Sequence, residues 1–516
     1  MSWLVDLANL CITHWVLVAA AVLPIYLLLN RYRYGISKIP GPFLASLSDA
    51  WLLVHYLRRR GIEEYDMHQR YNSPLLRVGP NTISVSDSEA LRVIYGWKPV
   101  FKKARLYISQ FVTTTDGSVL ENMSSTRDEE VHSKLRRPVA HTYSLSTLIE
   151  YEPLVDSTSM VFMNQMEERF VRTGEDCNLS KWLQMYAFDI IGELTFSNRF
   201  GFLESGKDLG DMMYHTGKAM DYIGIVGQIP TADEYLRLKG FGKILRKIRP
   251  TGPLMKFTAE RIKEHTSVEN YSRPDFLTRF IKAREKFPEV MTDGRLATYT
   301  NTNVSAGSDT TAIALREVTW RILTHPKCYE QVMEEIKNTI KLRTIAGENG
   351  EHPITWAESQ RMVYFQAVIK ESLRVHPALG QIIPREVPEG GVEICGTFIP
   401  GGTTVGCNAW TVHRDKALYG EDAAQFIPER WLDEDKEKVR NMENLSFAFG
   451  GGPRVCLGRN IAMLEISKFV PEFFRRMEIT LVDPKRYKLI PGWLVLQTGL
   501  DVTLRRRDPA WLRAEI

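Results

Sequence analysis

Apolar residues recur every three or four positions through most of this chain, and that spacing predicts helices. Met362, Phe365, Val368, Ile369 and Leu373 form one such stripe, which His376 and Pro377 bring to a stop. Thr355 with Glu358 and Ser86 with Glu89 have the spacing of capping boxes at helix starts. Strand-like stretches are few: LLRVGPNTISV (75–85), GVEICGTFIPGGTTVGC (391–407) and WLVLQTGLDVTLR (493–505). The expected fold class is mainly α with small β-sheets.

Two stretches break the amphipathic pattern. From Leu10 to Leu29 twenty mostly apolar residues follow one another, and WVLVAAAVLPIYLLL (15–29) has no charged side chain. Twenty helical residues reach about 30 Å, the thickness of a bilayer core. Only Asp6 precedes the run, whereas Arg31, Arg33 and Lys38 follow it, which places the rest of the chain on the cytosolic side. The run is long for a cleaved signal peptide, and no small-residue cleavage pattern follows it. Residues 1–36 are therefore expected to be a single transmembrane anchor with a basic flank, IPGP (39–42) a stiff hinge, and 37–516 one catalytic domain without repeats. The second exception is GRLATYTNTNVSAGSDTTAIALREVTWRILT (294–324), helical in period at both ends but built from small polar residues in the middle. Such residues are poor helix formers, so packing alone gives no reason for them.

Composition narrows the function classes. Sixty-six basic and 62 acidic residues leave a net charge of +4, too balanced for nucleic-acid binding by bulk charge. The six cysteines lack paired spacing, which argues against a disulfide framework or a CxxC zinc site. One cysteine stands apart. In FAFGGGPRVCLGRNIA (447–462), Cys456 follows three glycines and precedes a helical pattern, so its sulfur meets a helix N-terminus that favours an anion. A thiolate there can attack a substrate or bind a metal. No histidine base lies in the stretch and no second cysteine ligand is near, so a single-thiolate iron site is the better fit.

Phe449, Gly452, Arg454, Cys456 and Gly458 match FxxGxRxCxG, and on this motif the chain resembles the cytochrome P-450 haem-thiolate monooxygenases. The resemblance implies the P-450 fold and haem b, with Cys456 as axial ligand, Phe449 shielding the sulfur and Arg454 on a propionate. ESLR supplies Glu371 and Arg374, and FIPERW supplies Arg430, together the family's buried Glu-Arg-Arg cluster, with Trp431 where Phe is commoner. AGSDTT (306–311) matches the distal-helix motif, which assigns proton delivery to Asp309 and Thr310 and oxygen access to Gly307 and a local kink. In DEEVHSKLRRPVAH, His132 and Arg136 fit the propionate pair, with histidine in the tryptophan position, and Arg385 fits a third propionate contact.

The same resemblance implies O2 as co-substrate and electrons from NADPH. The sixty residues after Cys456 leave no room for a flavin domain, so the expected partner is a separate NADPH-cytochrome P-450 reductase, with cytochrome b5 as a second donor. Lys134, Arg137 and Arg459 are candidates for its docking surface. The expected location is the endoplasmic reticulum membrane, single-pass, with the body in the cytosol. Over the body the sequence looks like filamentous-fungal microsomal members, the pisatin demethylase-like group of secondary metabolism and detoxification. Substrate contacts are expected from 101–120, from the distal helix near Asn303, from ALGQII (378–383) and from GWLVLQTG (492–499), and they suit a hydrophobic small molecule. Two rivals are a haem-thiolate isomerase or dehydratase and a non-catalytic haem sensor or carrier. Neither has an evident use for Asp309 beside Thr310.

Overall fold

The computed structural model describes residues 14–113, 119–237, 252–267, 275–347 and 351–508. Its principal elements, in chain order, are α1 (Trp15–Tyr32), β1 (Leu75–Gly79), β2 (Thr82–Val85), β3 (Lys102–Lys103), α2 (Glu129–Arg136), α3 (Glu152–Met166) and α4 (Leu179–Phe196). They continue with α5 (Met212–Val226), α6 (Asp293–Thr324), α7 (Val363–Val375), β4 (Arg385–Glu386), β5 (Thr404–Cys407) and α8 (Arg459–Arg476). Helices dominate, as the period predicts.

The polar-centred stretch is the axle of the fold. Thr292 caps α6 by accepting from Arg295 N, and the helix runs unbroken for 32 residues, about 48 Å. Helix α4, apolar on almost every side and buried along nearly all its length, lies against it. With α3 and α8 these helices enclose the larger core, in which Phe162, Tyr186, Phe469 and Phe473 pack ring against ring. A second core lies under the sheet and joins Ile83, Val85, Tyr95, Val405, Trp431 and Phe447. The sheet order is β1-β2-β5-β4-β3, with β2 and β5 parallel and the other neighbours antiparallel. The three strand-like stretches of the sequence all form strands; two-residue strands such as β3 and β4 have too little pattern to be read in advance.

The Thr355–Glu358 capping box forms with both bonds. The Ser86–Glu89 box does not: Glu89 instead pairs with Arg92 at 2.8 Å, and Asp415 accepts from Ser88 N and Oγ. IPGP is not a free hinge either. Pro40 O accepts from Arg77 N at 2.7 Å, and a side chain at Gly41 would collide with the Arg77 carbonyl, so the segment is laid against β1. Buried Arg77 also donates to Arg31 O and Asn30 O at 2.9 and 3.1 Å, placing a cation at the C-terminus of α1. The anchor expected from Leu10 falls partly on residues 1–13, outside the described residues, and among the described residues no helix is long and apolar enough to cross a membrane.

Candidate active site

Cys456 sits in a loop whose shape is fixed from beneath. Gly452 has φ +56°, and a side chain there would run into the Tyr95 carbonyl, so the loop can lie on the sheet-side core only with glycine at this position. Tyr95 is itself held, donating its hydroxyl to Ile383 O at 2.7 Å, accepting from Cys407 N at 2.9 Å and packing on Phe447. Cys456 N donates to Phe449 O at 2.8 Å, which closes the loop. Burial pushes the Cys456 thiol up, opposed by the N–H groups of Gly458 and Arg459 and by the charges of Arg136 and Arg459. The donors that favour thiolate thus come from the start of α8 and not from the three glycines, which serve the turn.

The Glu-Arg-Arg residues meet as expected. Arg374 grips Glu371 through Nε and Nη2 at 2.8 and 2.7 Å, and Arg430 Nε donates to Glu371 Oε1 at 3.0 Å, all three being buried. Other guanidinium protons of Arg374 go to the carbonyls of His413, Ala423 and Gln425, and those of Arg430 to the carbonyls of Tyr419 and Asp422 and to the Asp422 carboxylate. Trp431 is more than an aromatic substitute, because its indole N–H donates to Glu371 Oε2 at 2.9 Å. Burial pulls the Glu371 carboxyl upward, but these partners outweigh it and hold it below the ordinary range. Sequence reasoning missed His413. Burial lowers it to about 3, so it is neutral: Nε2 accepts from Phe447 N at 2.8 Å while Nδ1–H donates to Arg374 O at 2.9 Å. That ring connects the charge cluster to the cysteine loop.

Cys456 is open to a water-sized sphere although protein burial is the largest influence on its thiol. Ala306 is likewise exposed in the middle of α6, between buried Asn303, Val304, Ser308 and Asp309. Accessible positions set in otherwise buried surroundings are what residues lining a recess show. At its edge stands a group of cations. The register of β3 and β4 sets Lys103 opposite Arg385, an arrangement that is unfavourable without an anion nearby. Both are buried, and Arg136 and Arg454 stand close enough for their charges to act on the same His132. Burial first, then Arg454, Arg136, Lys103 and Arg385, lower His132 to about 3, leaving it neutral and 3.8 Å from Glu129. Glu129 is engaged by Arg454 at 2.8 Å, and Arg136 Nη1 donates to Val455 O. A planar group with a metal for the sulfur and two carboxylates for these cations fits this cradle. Lys103, which donates to Ser124 O and lies 4.1 Å from the Tyr107 ring centroid, is the member missed in the sequence, since nothing in FKKAR reveals its partner 282 positions away.

On the distal side Thr310 and Asp309 point differently. Thr310 is half-buried at the cavity and donates to Ala306 O at 2.7 Å. Asp309 is buried on the α4 side, where Oδ1 accepts from Gln184 Nε2 at 2.8 Å and Gln184 Oε1 accepts from Arg316 at 3.0 Å. Burial pushes its carboxyl up to about 6, against the pull of Gln184 and Arg316. Two expectations need correction. A side chain at Gly307 would press on Ile191 of α4, so this glycine serves helix packing and Ala306 is what faces the cavity; α6 continues as helix through this point. Asn303 does not face a substrate either, because it accepts from Tyr143 OH at 3.0 Å and donates to Thr195 at 2.8 Å.

The other expected substrate segments do converge. Leu106, Tyr107, Ile223, Ile313, Trp493 and Leu494 form a separate apolar cluster, with Leu379 and Ile383 against it. Residues 114–118 of the first segment lie outside the described residues.

Fold and site suit a haem-thiolate enzyme. Residues 49–503 match the Cytochrome P450 family profile. The chain is 37% identical to a cytochrome P450 monooxygenase of Aspergillus terreus, over 93% of this chain and 98% of that protein. It is 36% identical to cytochrome P450 monooxygenase cicH of Emericella nidulans, over 93% and 95%. It is also 34% identical to cytochrome P450 monooxygenase mpaDE' of Penicillium brevicompactum, over 95% of this chain and 58% of that longer protein. The chain belongs to the cytochrome P450 monooxygenases, a family that uses haem with a cysteine thiolate ligand, O2 and NADPH-derived electrons.

Proposed function

We propose that this chain is a membrane-anchored monooxygenase that oxidises a hydrophobic small molecule in fungal secondary metabolism, with electrons from NADPH delivered by a separate reductase. The observation that carries the reading is an accessible Cys456 at the start of α8, with Arg136, Arg454, Lys103 and Arg385 grouped around His132 beside the cysteine loop; the accessible Ala306 and half-buried Thr310 in the middle of α6 support it. Haem, when bound, activates O2 for insertion of one oxygen atom into a C–H bond.

The chain's own residues do the rest. Cys456 supplies the ligand, favoured as thiolate by the Gly458 and Arg459 N–H groups. Arg136, Arg385, Arg454 and Lys103 would hold the carboxylates of the group, and neutral His132 could donate to them. Thr310 Oγ1, by releasing the Ala306 carbonyl, can hold a water at the cavity wall and pass a proton from it. Asp309, at about 6, can take up and release a proton near neutral pH once it leaves Gln184. The apolar cluster around Trp493 and Ile313 excludes water and sets the preference for an apolar substrate. Val22, Leu23, Ile25, Leu28 and Leu29 of α1 stay exposed, and they support the anchor, with the body on the cytosolic face of the endoplasmic reticulum. Exposed Lys134, Arg137 and Arg459 support docking of the reductase, and of cytochrome b5, on the cysteine side.

Reconstitution with reductase, NADPH and O2 tests the reading: an accepted substrate should gain one oxygen atom. In the Thr310→Ala variant NADPH should still be consumed, while hydrogen peroxide replaces product and product formed per NADPH falls about tenfold or more. Unchanged coupling would place proton delivery elsewhere.

A further inference from the structure

The turn 378–383, one wall of the apolar cluster, is held from its outer side by a buried carboxyl group. On the inner side Gly380 N donates to Trp493 O at 3.0 Å, and Leu379 and Ile383 pack against the cluster. On the outer side lies the segment that leads into the helix Glu64–Tyr71. A side chain at Gly61 would collide with the Gly380 carbonyl, and Ile382 shares a small apolar cluster with Tyr56 of the helix Ala50–Leu57. Two polar arms cross this contact and meet at Glu64, which is fully buried. Tyr56 OH donates to Glu64 Oε1 at 2.8 Å, while the Ile382 N–H acts as a donor toward the same phenolic oxygen. Asn408 Nδ2 donates to Gly61 O at 3.0 Å and to Gly380 O at 3.4 Å, and Asn408 also acts as a donor toward the Glu64 carboxyl.

The hydrogen-bond pattern selects the protonated form of Glu64. Its Oε2 lies 3.2 Å from Ser84 Oγ of β2, Ser84 Oγ lies 3.0 Å from His68 Nε2, and His68 Nδ1 lies 2.8 Å from Ser73 O. A carbonyl only accepts, so Nδ1 carries a proton. In the neutral ring Nε2 then accepts the one Ser84 hydroxyl proton, and Ser84 Oγ is left to accept from Glu64. A protonated carboxyl therefore completes the chain with no buried charge. A carboxylate would compete with His68 for the Ser84 proton and leave one of the two unsatisfied in the interior. Burial pushes Glu64 up to about 7, against the pull of Tyr56, Ser84 and Asn408. The titratable groups that face it among the described residues are Tyr56, His68 and Cys407. Burial keeps all three neutral, raising the phenol and the thiol and lowering the imidazole.

We propose that Glu64, as a carboxylic acid, is a positioning residue for substrate binding, which fastens the turn 378–383 to the N-terminal part of the body and releases it on ionisation. This rests on the reading of that turn as a substrate wall. On release the Glu64 O–H bond breaks and its proton goes to solvent; no electrons move. The direction follows from the raised value. The folded protein prefers the protonated carboxyl, so the fastening is complete below the ordinary carboxylate range and is lost as pH rises through about 7.

Hydrogen exchange of the holoenzyme without ligand tests the fastening itself. With the intrinsic pH dependence of exchange divided out, protection of peptides covering 378–383 should fall about tenfold from pH 6 to pH 8, as expected when opening returns one acid from about 7 to its ordinary value. Wild-type protection that stays constant overturns the proposal without any variant. In Glu64→Gln, whose amide can donate to Ser84 and accept from Tyr56, protection should be the same at both pH values; a fall that persists there overturns it too. Affinity for a neutral aryl triazole, which does not titrate in this range and is read from the Soret shift, should weaken about threefold or more over the same interval in the wild type and stay constant in Glu64→Gln. Release seen by exchange with wild-type triazole affinity unchanged would overturn the role in substrate binding and leave the monooxygenase reading standing.

Discussion

Arg374→Ala is expected to give protein that cannot retain haem. The substitution strips Glu371 of its bidentate partner and leaves the carbonyls of His413, Ala423 and Gln425 without their donor, all in the interior. Breaking a buried pair of this kind costs about 3–5 kcal/mol, a large part of a domain's stability. The damage does not stay local, because His413 joins Arg374 O to Phe447 N at the entry of the cysteine loop. Absorbance at the Soret band per mole of protein, read beside a thermal melt, checks this. Arg374→Lys should fare little better, since an ammonium cannot reproduce the fork that grips Glu371.

Gly452→Ala should be nearly as harmful, for a reason of shape and not of charge. A methyl group there meets the Tyr95 carbonyl, on a residue with φ +56°. Tyr95 cannot give way without losing its bonds to Ile383 and Cys407. Strain and overpacking together are expected to cost about 3 kcal/mol and to displace Cys456. Gly451→Ala is the control: its φ is −147°, and an added methyl would make only ordinary contact with Tyr95 and Phe447. A melt and a haem titration of the two variants should separate them, with Gly451→Ala close to wild type.

What the sequence disclosed and what it hid follow from range. The cysteine loop and the ESLR and FIPERW pieces are local spacings, and the residues they single out come together in the structure. Long helices were legible from their period, and 294–324 forms one unbroken helix despite its polar centre. Facts that depend on a partner far away were not legible. Lys103 becomes part of the cation group only because β3 pairs with β4, and Arg454 meets Glu129 only because α2 lies beside the loop. Which way a helical residue faces also depends on the packing. Gly307 turned out to make room for Ile191 and Asp309 to face Gln184, although the motif pointed both at the chemistry, and Asn303, expected at the substrate, joins Tyr143 and Thr195. The IPGP segment looked like a hinge because prolines stiffen a chain, but Arg77 fastens it to the body.

The central claim is that Cys456 is the thiolate ligand of a haem bound in the cavity under α6. The ferrous carbonyl spectrum of freshly purified protein tests it most directly. A strongly red-shifted Soret band, present in the wild type and lost in Cys456→Ala, is the predicted result; an ordinary histidine-type carbonyl band in the folded wild-type protein would contradict it.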